Sequence, residues 1–304
     1  MIKLLLTGAF KYSQEQLDNL EGLGYEIIFI QDERVSINID VSNIEVVVCN
    51  SLFLYNNISK FKNLKVIQLT SAGMDRVPLD YINKNKIKVF NANDVYSIPI
   101  AEWVVLKVLE TYKMSKFFYK NQEIHEWTKR RDLLELTNKT ASIIGFGNVG
   151  REVAKRLKAF GVKIIGVDRK EIESEYFDEC ILIKDSDKAL EKSDIIILTL
   201  PLTKETRSFI NKDTIKMMKD NVVLVNVARG GLINEAELIT ALNEGKFLGV
   251  ALDVFQEEPL RESRLWDFEN VIITPHNSFV SDRIDDRLFN LIAENLNSNL
   301  IHIV

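Results

Sequence analysis

The chain has 304 residues, 46% apolar and 27% charged, with a formal net charge of −5. This is enough sequence for two domains with separate cores, in a composition ordinary for globular proteins. The mild acidic excess gives no electrostatic basis for binding nucleic acid or an anionic membrane.

The opening apolar run, Ile2 to Leu6, is too short for a secretory signal, and no stretch approaches the ~20 apolar residues of a membrane span. The two cysteines, Cys49 and Cys180, fall in apolar, strand-like segments without zinc spacing. A cytoplasmic protein with buried, reduced thiols, no disulfide and no metal is expected.

Short apolar runs alternate with amphipathic helical stretches along the chain, the pattern of α/β folds with mostly parallel sheets. Strands are predicted near 2–6, 25–30, 45–48 and 65–69. A helix follows Ser13, which pairs with Gln16 as a capping box, and stops around Gly22 or Gly24. One long helix is predicted from Pro99 to about Lys120. Pro99 suits its first turn, and Val104, Val105, Leu106, Val108 and Leu109 cover more than one face, so several neighbours should bury it. From residue 140 strands are predicted near 140–144, 163–167, 181–183, 194–199, 222–226, 247–252 and 271–273, with helices between most of them. A last helix is expected near 281–299. No internal repeat or flexible linker is present, so the domain boundary is placed at the long helix, near Ser97.

Gly145-Phe146-Gly147-Asn148-Val149-Gly150 lies directly after one predicted strand and directly before a helix. The first glycine allows a tight turn, the second lets the backbone approach a pyrophosphate, and the third lets helix and strand pack closely. Asp168 closes the next strand, where a carboxylate accepts hydrogen bonds from an adenosine ribose. The bland reading is a structural turn with Asp168 as a cap. Asp168 disfavours a 2′-phosphate by charge, which points to NAD, whereas Arg169 could accept one.

In open parallel sheets, ligands bind outside the carboxyl ends of the strands. The segments following the predicted strands carry Pro201, Thr203 and Thr206; Val227, Ala228 and Arg229; Asp253, Glu257 and Glu258; and His276. One cation, several carboxylates and one imidazole are the parts needed to orient an anion and move a proton. Each has a plainer alternative: Arg229 as a surface residue in a glycine turn, Glu258 as a turn cap before Pro259, His276 as a loop histidine. The other two histidines sit elsewhere, His125 in a polar stretch and His302 near the C-terminus.

Taken in order, these segments resemble the D-isomer-specific 2-hydroxyacid dehydrogenases. The likeness runs from about Leu64 to His276. It includes the glycine turn, Pro201 to Thr206, Asn226-Val227-Ala228-Arg229-Gly230-Gly231, Leu252 to Pro259 and Thr274-Pro275-His276. Thr70-Ser71-Ala72-Gly73-Met74-Asp75 is similar to the family's substrate-carboxylate loop. The resemblance implies two doubly wound parallel-sheet domains: a Rossmann cofactor domain over 98–280, and a flavodoxin-like substrate domain from 1–97 plus 281–304. It implies His276 as acid/base, Glu258 as its partner, Arg229 as the substrate-binding cation, and Ala72 and Gly73 as backbone donors to the substrate carboxylate. Gly145, Gly147, Asn148, Val149, Gly150, Asp168, Pro201, Thr206, Val227, Ala228 and Asp253 are implied cofactor contacts, with Asp253 near the nicotinamide amide. Tyr96 is either a substrate-pocket residue or a packed loop aromatic.

The expected activity is NAD-dependent interconversion of a small 2-keto acid and a D-2-hydroxy acid by a homodimer. Two alternatives remain: a phosphoglycerate dehydrogenase of serine synthesis, which needs extra cations for its phosphate, and a non-enzymatic NADH-responsive scaffold.

Overall fold

Val46-Val47-Val48-Cys49 and Ile195-Ile196-Ile197-Leu198 are apolar throughout and too short for helices; both form strands buried on both faces. In the computed structural model, which describes the backbone of residues 1–303 and the side chains of residues 1–298, the chain divides into two compact units. One holds residues 1–96 and the chain's end from Ser281; the other holds residues 97–280.

In chain order the first unit contributes β1 (Ile2–Thr7), α1 (Gln14–Gly22), β2 (Tyr25–Ile30), β3 (Val46–Cys49), α2 (Leu52–Tyr55), β4 (Val66–Leu69), α3 (Leu79–Lys84) and β5 (Lys88–Phe90). The second contributes α4 (Ser97–Tyr112), α5 (Ser115–Glu123), β6 (Thr140–Ile144), α6 (Asn148–Lys158), β7 (Lys163–Asp168), β8 (Glu179–Leu182), α7 (Asp187–Lys192), β9 (Ile195–Leu198), α8 (Lys212–Met217), β10 (Val222–Asn226), α9 (Glu235–Asn243), β11 (Phe247–Leu252) and β12 (Val271–Ile273). The last helix, α10 (Ile284–Ile303), returns to the first unit.

Every strand pairing is parallel. The first sheet has the order β2-β1-β3-β4-β5 and the second β12-β11-β10-β9-β6-β7-β8. Both are doubly wound, as the sequence predicts. The strand order reverses between β1 and β3 in one sheet and between β6 and β9 in the other. Each reversal opens a crevice at the carboxyl edge.

Helix α1 begins as expected. Gln16 N–H donates to Ser13 Oγ at 3.2 Å, and Ser13 N–H donates to Gln16 Oε1 at 2.9 Å. The long helix does not persist to Lys120. It breaks after Tyr112, and Met114 adopts a left-handed backbone, φ 51°. A distant segment stabilises the break: Leu134 N–H donates to the Tyr112 carbonyl, and Lys113 Nζ donates to the Leu134 carbonyl at 2.7 Å. Pro99 does sit in the first turn, and Ala101, Val104 and Val108 bury one face completely. The opposite side is not covered as expected, since Leu106 is 49% exposed.

Strand β5 was not anticipated, because three residues beside Lys84-Asn85-Lys86 carry almost no pattern. Cys49 is fully buried; desolvation, and then the Glu33 charge, push its thiol upward. Cys180 is free but only half-buried, contrary to expectation, because β8 is an edge strand with one neighbour. The last helix starts at Ile284 rather than 281, and the side chain of His302 lies outside the described residues.

Candidate active site

Strand β6 runs straight into the glycine turn, which meets the end of β9 at the reversal point. Gly145 has φ +96°, and a Cβ there would lie 2.6 Å from the backbone N and Cα of Leu200. Thr199 Oγ1 donates to the Gly145 carbonyl at 2.6 Å and ties the turn to β9. A Cβ at Gly147 would meet nothing within 4 Å, so the turn is open there; one at Gly150 would lie 2.7 Å from the Gly145 carbonyl oxygen.

Among the described residues, the N–H groups of Asn148, Val149 and Gly150 have no acceptor. Helix α6 thus presents three orphan donors and its positive dipole end beside an open turn. Residues of this kind fit the pyrophosphate of a dinucleotide. Asp168, at the end of β7, accepts from Phe146 N–H at 2.9 Å and from Arg169 N–H at 2.7 Å. It pins the turn, and each oxygen retains a lone pair for a ribose hydroxyl.

Arg169 is exposed, and its charge helps hold the Glu205 carboxyl below the usual carboxylate range, after the larger effect of the Thr203 hydroxyl. Thr206 organises its own loop: it donates to the Pro201 carbonyl at 2.8 Å and accepts from Thr203 N–H at 2.7 Å.

His276 lies beyond β12. Its Nδ1 is 2.8 Å from Glu258 Oε2, and both side chains are about one-third exposed. The second Glu258 oxygen accepts from Phe255 N–H at 3.0 Å, which locks the carboxylate against its own loop. Nε2 of His276 has no partner among the described residues. The ring packs edge-on against Phe279, with centroids 6.2 Å apart.

The His276 backbone is left-handed, φ 52°. That conformation costs a non-glycine residue about 1 kcal/mol or more, so its surroundings must impose it. Asp253 does so. Its carbonyl accepts from His276 N–H at 2.8 Å. Its carboxylate, with no exposed surface, accepts from Thr274 Oγ1 at 2.5 Å, Asn277 N–H at 2.8 Å and Ser278 N–H at 2.9 Å. Asp253 therefore stands behind His276 as a positioning residue rather than at an open surface.

A second positioning residue escaped the sequence reading. Asn226 ends β10 and is completely buried. Its Nδ2 donates to the Arg229 carbonyl at 3.0 Å, and its Oδ1 accepts from Ala228 N–H at 3.1 Å. The available signal was a polar residue closing the all-apolar run Val222–Val225. Val227 is buried against the helical layer that includes α4 and α6. Arg229 is half-buried, and one of its terminal nitrogens donates to the Ala228 carbonyl at 2.8 Å. Gly230 then packs against the 253–258 loop; a Cβ there would lie 1.8 Å from the Phe255 carbonyl carbon.

The remaining candidates belong to the first unit. The loop after β4 leaves the N–H groups of Ala72 and Gly73 without acceptors among the described residues. Asn91 Nδ2 donates to the Ala72 carbonyl at 2.8 Å, and Ser71 Oγ donates to the Gly73 carbonyl at 3.1 Å. Two free donors on a braced loop suit a carboxylate. The Tyr96 hydroxyl donates to the Thr70 carbonyl, and burial, then the charge of Asp285, push its phenol up to about 12. His125 is exposed after α5, and its φ of 58° carries no associated site.

Known proteins resemble this chain over most of its length. The model of the D-isomer specific 2-hydroxyacid dehydrogenase NAD binding domain matches residues 105–278. The glyoxylate reductase of Pyrococcus furiosus is 32% identical, over 77% of this chain and 72% of that protein. The D-3-phosphoglycerate dehydrogenase of Methanocaldococcus jannaschii is 37% identical over 79% of this chain, which spans only 46% of that longer protein. Among solved structures, the D-lactate dehydrogenase of Aquifex aeolicus, complexed with NAD and lactic acid, superposes with a TM-score of 0.79 at 26% identity, covering 99% of this chain and 96% of that one. The chain belongs to the D-isomer-specific 2-hydroxyacid dehydrogenase family, with an NAD-binding domain built on its second parallel sheet.

Proposed function

We propose that this chain reduces a small 2-keto acid to the D-2-hydroxy acid, with His276 as proton donor. The observation that carries the reading is the His276–Glu258 pair, 2.8 Å apart on the same sheet edge as the dinucleotide turn. Pairing through Nδ1 orients the ring and leaves Nε2 to donate the proton to the forming alkoxide. Arg229 holds the substrate carboxylate and polarises the ketone. Ala72 and Gly73 add backbone donors to the carboxylate. Gly145, Gly147, Asn148, Val149, Gly150, Asp168, Pro201, Thr206, Val227 and Ala228 line the cofactor site, and a bound nicotinamide supplies the hydride. In this reading the 97–280 unit is the cofactor domain and the other unit the substrate domain.

The test is NADH oxidation with glyoxylate, pyruvate, hydroxypyruvate, branched 2-keto acids and phosphohydroxypyruvate. Turnover on at least one is expected; none on any would favour the scaffold. Arg229→Ala should lower kcat/KM for the active keto acid by about 10²-fold, through both KM and kcat. NADH affinity should change little. An untouched keto-acid turnover would make Arg229 purely structural.

NADH should be preferred over NADPH, because the Asp168 carboxylate repels a 2′-phosphate. The ratio of kcat/KM for the two cofactors measures this. A clear NADPH preference would transfer the role to Arg169.

The protein is proposed to be a cytoplasmic homodimer that associates through the 97–280 unit. Trp127 is 94% exposed, and Tyr119, Ile124 and Leu106 lie outside the core of that unit. Large apolar side chains so exposed are expected to be covered by a partner. Among the described residues no helix is long and apolar enough to cross a membrane.

A further inference from the structure

Arg76 lies three residues beyond Gly73, and one of its terminal nitrogens donates to Asn50 Oδ1 at 2.7 Å. Asn50 follows the last residue of β3, beside the point where the first sheet reverses between β1 and β3. Strands β3 and β4 are neighbours, with Cys49 opposite Leu69, so Asn50 stands next to the loop that presents the Ala72 and Gly73 N–H groups. The guanidinium is therefore fixed at the carboxyl edge of the sheet, within the loop that carries the carboxylate donors.

Arg76 is half-buried, and no carboxylate lies within ion-pair distance of it among the described residues. The buried acid of this region, Glu33, is saturated by neutral donors. It accepts from Thr7 Oγ1 at 3.0 Å, Asn50 N–H at 2.9 Å, Ser51 N–H at 2.6 Å and Ser51 Oγ at 2.7 Å. Glu33 thereby fixes Asn50, and Asn50 fixes Arg76. A guanidinium has five N–H donors, and among the described residues only one is used. A partly desolvated cation, pre-aimed by a neutral amide and lacking a counter-ion, is built for an incoming anion. The two backbone donors of the same loop already suit the C1 carboxylate of a keto acid. The cation suits a different group.

We propose that Arg76 binds a second anionic group on the substrate, so that the substrate class is a dianionic 2-keto acid bearing a phosphate or a further carboxylate. The proposal rests on the dehydrogenase reading above. It makes Arg76 a specificity residue, distinct from Arg229, which serves the reacting end.

The test compares kcat/KM for oxaloacetate and phosphohydroxypyruvate with that for glyoxylate and pyruvate, in the parent, Arg76→Gln and Arg76→Lys. The parent should favour one dianion, and which one identifies the second group as carboxylate or phosphate. Arg76→Gln should lower the dianion-to-monoanion ratio by about 10- to 100-fold, the range of a hydrogen bond to a charged group. Arg76→Lys should retain part of it. Malonate should inhibit the parent more tightly than acetate, a readout that needs no variant. An unchanged ratio in Arg76→Gln, or equal inhibition by malonate and acetate, would overturn the proposal while leaving the dehydrogenase reading intact. NADH oxidation with none of these four, nor with hydroxypyruvate or branched 2-keto acids, would overturn both.

Discussion

His276→Ala is expected to lower the rate of keto-acid reduction and of hydroxy-acid oxidation by about 10²- to 10⁴-fold, the contribution of a positioned acid or base. NADH affinity should stay close to that of the parent, because His276 lies beyond β12 and the dinucleotide turn lies beyond β6, four strands away in the sheet order. Steady-state kinetics in both directions and a fluorescence titration with NADH separate the two effects. An active alanine variant would sink the proton-donor assignment. Glu258→Gln is the finer probe. It keeps the shape of the side chain and the acceptor for Phe255 N–H, but removes the charge beside the imidazole. The rate should fall in both directions, because a single amide oxygen cannot accept from both Phe255 N–H and His276 Nδ1. An undiminished rate would show that Glu258 does not hold the histidine in place.

The second large effect is expected from Gly230→Ala. The added Cβ would lie 1.8 Å from the Phe255 carbonyl carbon, 2.1 Å from its oxygen and 2.3 Å from Gln256 N. All three are backbone atoms, so no side chain can swing away. The 253–258 loop or the 227–231 turn must move, and the first carries Glu258 while the second carries Arg229. A misplacement of about 1 Å costs on the order of 10²-fold in rate, so kcat/KM for the keto acid should fall by at least that factor. Thermal denaturation confirms that the variant still folds. Gly22→Ala is the control: a Cβ there meets nothing within 4 Å, and activity should be unaffected. Parental kcat/KM in Gly230→Ala would mean that the contact is pliable and that Arg229 and Glu258 are not coupled through it.

Much of this site was legible in the sequence because its residues follow strands. Once β6, β7, β10, β11 and β12 are recognised as parallel, everything immediately after them falls on one edge. Gly145, Asp168, Arg229, Glu258 and His276 were found in that way. The supports behind them were not, because they depend on which strands are neighbours. Asn226 can hold the Arg229 turn from its own strand end, but Asp253 reaches the His276 loop only because β11 lies beside β12. The same limit hid the helix break at Met114, where no glycine or proline warns of it. The Tyr112 carbonyl is taken by Leu134, a partner 22 residues away in sequence. Arg76 was equally silent, since its meaning comes from Asn50 at the end of a neighbouring strand.

In the proposed reaction one imidazole gives a proton in reduction and takes it back in oxidation. The direct measurement is a pair of pH–rate profiles, one in each direction, on the parent with its best keto acid and the corresponding D-hydroxy acid. His276 must be protonated to reduce and neutral to oxidise. Reduction should therefore fall as pH rises, and oxidation should fall as pH drops, with both limbs lost in His276→Ala. Two profiles that fall on the same side, or limbs that persist in the alanine variant, would contradict the account.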